Sequence, residues 1–187
     1  MNDSSPSSPV APLDAARRRW LYGGVAAAAA LGGGALAWWR LQPHGAADGA
    51  EQSLWRQTFT TPDGAPLAMQ AFQGRPLLVN FWATWCPPCV EELPLLNRFY
   101  AERKAQGWQV VGLAIDQPSA VRQFLARLPL QFPIGMAGMG GTELGRAMGN
   151  LQGGLPFTVL LGANGRILQR KMGQLTADDL ARWGQQG

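Results

Sequence analysis

The hydrophobic pattern changes period several times along the chain, and each change predicts an element. Residues 20–39 run without a single charged side chain, the length at which an apolar helix crosses a bilayer. Pro76-Leu77-Leu78-Val79-Asn80-Phe81-Trp82 is almost wholly apolar, as a strand buried on both faces of a sheet is. From Val90 to Ala105 the spacing turns helical, with Leu93, Leu96 and Phe99-Tyr100 recurring on one side. Residues 107–116 then read as a second buried strand. Strand, helix and strand in this order predict a βαβ unit with a parallel pair.

The rest of the pattern is shorter-ranged. Phe59-Thr60 and Leu67-Ala68-Met69 flank the turn signal Thr61-Pro62-Asp63-Gly64, which predicts a hairpin at the domain start. Residues 119–128 predict a helix on Val121, Phe124, Leu125 and Leu128; residues 130–134 a short extended piece; and residues 142–148 a short helix stopped by Gly149. Phe157-Thr158-Val159-Leu160-Leu161 and Arg166-Ile167-Leu168-Gln169-Arg170 flank Gly162-Ala163-Asn164-Gly165, and Asn-Gly between two β-rich runs is a strong hairpin signal. Thr176, with Asp179 three residues on, caps a final helix.

This divides the chain into a Ser/Pro/Ala-rich cytoplasmic tail (1–19), a transmembrane anchor or signal segment (20–39), a flexible linker (40–52) and one folded domain (53–187). Arg17, Arg18 and Arg19 precede the apolar segment, and the positive-inside rule keeps them in the cytoplasm and sends the domain outward. Trp20 with Tyr22, and Trp38 with Trp39, mark the two interfaces as an aromatic belt does. Two export readings stay open beside the anchor. Ala35-Leu36-Ala37 has the shape of a signal-peptidase site, and Arg17-Arg18-Arg19-Trp20-Leu21 loosely resembles a twin-arginine signal. All three readings place the domain outside the cytoplasm.

Composition changes little in this picture. At 47% hydrophobic residues there is ample material for a core, and the formal net charge of +4 disappears without Arg17, Arg18, Arg19 and Arg40. No basic stripe with interleaved aromatics is left, so nucleic acid is not an expected partner.

The candidate chemistry is concentrated at Cys86 and Cys89, the only two cysteines. They stand where a buried strand hands over to a helix N-terminus, whose free N–H groups and dipole favour a thiolate over a thiol. The thiolate is the nucleophile of thiol–disulfide exchange. Half of a zinc site has the same spacing. With no second cysteine pair and His44 as the only histidine, however, a four-ligand structural zinc site cannot be built from this chain alone. A passive structural disulfide is the other non-catalytic reading. Met136 and Met139, set among glycines, suit Cu(I) or simple gap-filling.

The residues Phe81-Trp82-Ala83-x-Trp85-Cys86-x-Pro88-Cys89 resemble the thioredoxin superfamily, nearest its membrane-anchored periplasmic TlpA/ResA-like branch, from about Ser53 to the C-terminus. The resemblance implies an α/β thioredoxin-like fold: a central mixed β-sheet flanked by helices, an N-terminal strand extension and a short αβ insertion near residues 118–134. It implies Cys86 as nucleophile at an exposed helix N-cap, Cys89 as resolving thiol, and Glu92, six residues after Cys86, as acid–base. It also implies a cis peptide at Leu155-Pro156 and a client-binding surface of Trp85, Pro87, Leu155 and Pro156, with Trp82 and Trp85 shielding the site. Pro94 matches a helix-kinking proline, and Asn80 stands where thioredoxin commonly has a buried Asp. No cofactor or metal is implied.

The activity so expected is thiol–disulfide exchange, run as a reductant of disulfides in exported proteins, such as those of cytochrome c maturation, with electrons from a membrane thiol transporter. Pro87 and Pro88 lack N–H groups, so a Cys86 thiolate has fewer donors, and a poorly stabilised thiolate makes the dithiol the better reductant. The same chemistry run as an oxidant, or a copper-handling or redox-sensing module, are the alternatives. Ala83 stands where a peroxiredoxin has Thr or Ser, which weighs against a peroxidase.

Overall fold

The computed structural model describes residues 44–186. The tail, the anchor or signal segment and the first residues of the expected linker lie outside them. In chain order the elements are α1 (His44–Trp55), β1 (Thr58–Thr60), β2 (Pro66–Ala68), β3 (Leu77–Trp82), α2 (Pro87–Arg103), β4 (Gln109–Ala114), α3 (Pro118–Arg127), β5 (Ile134–Met136), α4 (Gly138–Ala147), β6 (Phe157–Leu161), β7 (Ile167–Met172) and α5 (Ala177–Trp183). Among the described residues no helix is long and apolar enough to cross a membrane.

The strands form one seven-stranded sheet in the order β2-β1-β5-β4-β3-β6-β7. β3, β4 and β5 run parallel, and β6 returns antiparallel to β3 with Asn80 opposite Thr158 and Phe81 opposite Phe157. The expected βαβ unit is therefore β3-α2-β4. All six residues of β3 are buried. Side chains alternate across a strand, so Leu78 and Trp82 enter the core cluster that includes Leu93 and Leu96 of α2 and Trp183 of α5, while Leu77, Val79 and Phe81 enter the one that includes Leu54 of α1 and Leu144 of α4. Each such side chain contributes about 1.5–3 kcal/mol when fully buried. Gly112 lets β5 close on β4, because a Cβ there would stand 2.6 Å from Ile134 Cδ1.

The mixed sheet, the hairpin β1–β2, the hairpin β6–β7 and the αβ insertion agree with the sequence reading. The insertion consists of α3 and β5, and it ends at Met136 rather than at 134. The extended piece expected at 130–134 is displaced to 134–136, where Thr60 of β1 and Ala114 of β4 pair with Met136 on either side. Thr176 caps α5 in a full capping box with Asp179.

The linker expected up to residue 52 needs correction, since residues 44–55 are helix. Gly45 and Gly49 lower the local propensity, but tertiary contacts outweigh them. Ala50, Leu54 and Trp55 are buried. Ile167 N–H donates to Glu51 Oε1 at 2.6 Å, and Trp55 Nε1 donates to the Gly165 carbonyl at 3.2 Å. Gly165 sits at φ +77 in the β6–β7 turn, and a Cβ there would meet Trp55 Nε1 at 3.0 Å. Leu54, with no exposed surface, makes this measurable. Leu54→Ala is expected to cost about 2–5 kcal/mol in urea unfolding, whereas the same truncation in a linker stays within about 0.5 kcal/mol.

Candidate active site

β3 delivers the chain to a turn held from two sides. Ile115 N–H donates to the Trp82 carbonyl at 2.8 Å. Asp116, just past the end of β4, takes both the Thr84 N–H (2.8 Å) and the Thr84 hydroxyl (2.6 Å) on Oδ2, and the Gln117 N–H on Oδ1 at 2.7 Å. Partial burial pushes the Asp116 carboxyl up, but these donors outweigh it and leave the group below its ordinary value. Thr84 and Asp116 thus tie together the crossovers that leave β3 and β4. The sequence reading missed both; an Asp followed by Gln117-Pro118 at a strand end was the available signal.

Cys86 is the N-cap of α2, and Pro87 and Pro88 fill its first two positions. Neither proline has an N–H to offer, and Val90 N–H donates to the Cys86 carbonyl at 3.1 Å as the first helical bond there. Cys86 and Cys89 form a disulfide with Cα atoms 5.3 Å apart. The N-cap position matches expectation, but the expected exposure does not. Cys86 is 5% exposed and Cys89 is fully covered. Cys86 is bonded to Cys89 within the first turn of α2, and Leu155 packs against the cluster containing both cysteines.

Leu155-Pro156 is a cis peptide, as expected. Since Phe157 pairs with Phe81, Pro156 lies beyond the end of that ladder, on the side of the Cys86 turn. Asn150 Nδ2 donates to the Gly154 carbonyl at 2.8 Å and closes the preceding loop. The Pro156 carbonyl takes the Gly173 N–H at 2.9 Å, while no hydrogen bond within the described residues engages the peptide N–H or C=O of Leu155. Trp85 stands 65% exposed at the turn, and Pro87 is exposed beside it. The two tryptophans therefore separate. Trp82 is core, its ring tilted against that of Phe124 at a centroid distance of 5.3 Å, in the cluster that holds both cysteines, whereas Trp85 is largely exposed. Pro94 lies within a continuous α2.

Glu92 is buried at 1% exposure, unlike its exposed neighbour Glu91. It lies three residues after Cys89, hence on the same face of α2. Asn80 Nδ2 donates to Glu92 Oε1 and Leu175 N–H donates to Oε2, both at 2.7 Å. Burial pushes the carboxyl up to about 7, although the Leu175 and Asn80 donors and the Lys171 charge hold it down. A group poised near neutrality beside a cysteine can take and return a proton. Among the described residues no three His, Cys, Asp or Glu side chains converge as a metal site requires.

A disulfide at the start of a helix, a cis-proline loop facing it and a thioredoxin-like sheet beneath them define the class: a redox enzyme that exchanges thiols and disulfides. Comparison with known proteins narrows this. The chain belongs to the Redoxin family, whose sequence profile matches residues 50–183, and within the thioredoxin superfamily it is ResA/TlpA-like. It is 30% identical over 125 residues to the thiol-disulfide oxidoreductase ResA of Bacillus thuringiensis subsp. konkukian, covering 66% of this chain and 70% of the relative. It is 31% identical over 134 residues to the ResA of Oceanobacillus iheyensis, covering 71% and 68%. Among solved structures, StoA from Bacillus subtilis superposes with a TM-score of 0.56 at 27% identity, covering 68% of this chain and 95% of StoA. A thiol:disulfide interchange protein from Chlorobium tepidum TLS does so with 0.61 at 28% identity, covering 70% and 91%.

Proposed function

We propose that this thiol–disulfide oxidoreductase works as a reductant of disulfides in exported proteins, outside the cytoplasm, held to the membrane by residues 20–39. The observation that carries the direction is the helix start. With proline at both of the first two positions of α2, a Cys86 thiolate has fewer N–H donors to stabilise it than an ordinary helix start offers. The dithiol is then the less stable form, and it gives up its electrons readily.

In the reaction, the Cys86 thiolate attacks one sulfur of the client disulfide, and the client's other sulfur leaves as a thiolate. Cys89 passes its proton to the Glu92 carboxylate and attacks the Cys86 sulfur, releasing the second client thiolate. Two electrons have moved to the client, and the Cys86–Cys89 disulfide described above is the product. An extended client segment lies against Trp85 and Pro87, with its backbone paired to the unengaged peptide groups of Leu155, while Pro156, expected on that surface, is itself buried. A membrane thiol transporter then returns the pair to the dithiol. Apocytochrome c or a similar exported thiol protein fits as client.

The test is the reduction potential of the Cys86–Cys89 couple in the full-length protein, measured against a glutathione or dithiothreitol buffer. A value near or below about −250 mV supports a reductant, while one near −120 mV makes the protein an oxidant and overturns the proposal.

A further inference from the structure

β3 and β6 are otherwise apolar, and each carries one polar residue, Asn80 and Thr158, paired opposite one another in register. Both are fully buried. Asn80 lies on the same face of β3 as Leu78 and Trp82, the face covered by α2. Its Nδ2 spends both hydrogens, one on Glu92 Oε1 at 2.7 Å and one on Thr158 Oγ1 at 2.9 Å. Its Oδ1 has no partner. A buried amide normally satisfies both ends, and an orphaned acceptor is costly. The arrangement is understandable if the amide is there to donate. An ionised carboxylate accepts only, so it accepts Nδ2 and repels Oδ1, and Thr158 takes the second hydrogen of the amide in that same orientation.

We propose that Asn80, oriented by Thr158, is the positioning residue that aims the Glu92 carboxylate and confines the site's carboxyl titration to that single group. The proposal rests on Glu92 as the group that takes the Cys89 proton. Asn80 cannot itself hold that proton, whereas a carboxyl at 80 would stand within hydrogen-bond distance of Glu92 and share its proton as a coupled pair. The ionisable groups around Glu92 are few. Cys89 shares its helix face, Lys171 of β7 acts on it electrostatically, and Lys171 is in turn paired with Asp179 of α5 at 2.6 Å. No ionisable side chain is present in β3 or β6.

The experiment is a carbon-13 carboxyl NMR titration of Glu92 in the full-length oxidised protein, with the pH profile of reduction of a small aromatic disulfide by the reduced protein measured in parallel. Wild type is expected to show a single inflection near pH 7. Asn80→Ala removes a donor to the charged form, so its inflection is expected to rise by about one to two pH units. Thr158→Val is expected to move it up by a smaller amount, and Thr158→Ser, which keeps the hydroxyl, restores it. Asn80→Asp is expected to split the titration into two steps.

A purely structural role would lower the melting temperature and leave the inflection in place. If Asn80→Ala does not fold, the Thr158→Val and Thr158→Ser pair decides. An unmoved Glu92 titration in Thr158→Val and in any folded Asn80→Ala overturns the role of Asn80. Glu92→Gln separates this from the parent reading. If its rate profile keeps the inflection, Glu92 is not the proton acceptor, whatever the carboxyl titration shows for Asn80.

Discussion

Cys89→Ser is expected to stop turnover while leaving the first chemical step intact, so that the reduced variant captures a disulfide-bearing peptide as a stable adduct on Cys86. The reason is geometric. In the disulfide the two Cα atoms stand 5.3 Å apart on one helix turn, so the resolving thiol is held at its target and attack is intramolecular. Well-oriented intramolecular partners reach very high effective concentrations, and replacing Cys89 by an external millimolar thiol is expected to slow resolution roughly a thousandfold or more. Cys86→Ser removes the attacking group itself, and no adduct is expected. Mass spectrometry of each variant after exposure to an oxidised peptide reads both outcomes. An adduct on Cys89 in Cys86→Ser, at a rate comparable to that in the converse variant, would reverse the assignment of the two cysteines. That result would conflict with Cys89 having no exposed surface.

Local pattern carried much of the fold. The all-apolar β3, the periodic α2 and the Asn164-Gly165 turn each announce themselves within a few residues, because their determinants are neighbours in the chain. α1 does not, since what stabilises it lies far away in sequence: Trp55 and Gly165 are 110 residues apart, and the glycines at 45 and 49 argue for a loop. The cis peptide before Pro156 came from family resemblance and from nothing in the local spacing. At the site, the pair Cys86–Cys89 was legible as chemistry and Glu92 as a position. That Glu92 turns inward while Glu91 faces water follows from the stripe of Cys89, Leu93 and Leu96 on α2. Its partners were not readable. Leu175 N–H reaches it from 83 residues away, through a loop whose sequence, Gly173-Gln174-Leu175, carries no sign of it. The burial of Cys86 was likewise invisible, because the core cluster it joins draws on residues as far along the chain as Trp183.

Glu92 should make the protein less stable as pH rises across neutrality, the reverse of the usual carboxylate. Its carboxyl titrates at about 7 in the fold against an ordinary 4.5, so between those values the folded protein holds a proton that the unfolded chain has lost. The sign follows from linkage. The stabilisation is fully present below about pH 4.5 and is lost as pH rises through about 7, an effect on the order of 3 kcal/mol. Glu92→Gln cannot titrate, and its stability curve over this range is expected to be flatter by that amount. At pH 5 the variant is expected to be the less stable of the two, because its amide NH₂ must oppose either Asn80 Nδ2 or Leu175 N–H, a conflict of about 1–3 kcal/mol. Towards pH 8 the two curves converge or cross. Activity moves independently of this. On the proposed proton route, Glu92→Gln is expected to slow the step that deprotonates Cys89 by about a hundredfold and to leave the first attack by Cys86 unchanged. Urea unfolding of the oxidised protein at several pH values tests the stability claim, and single-turnover resolution of a preformed mixed disulfide tests the kinetic one. Parallel unfolding curves for wild type and Glu92→Gln would mean that Glu92 titrates at its ordinary value, and the proton route through it would fall with that result.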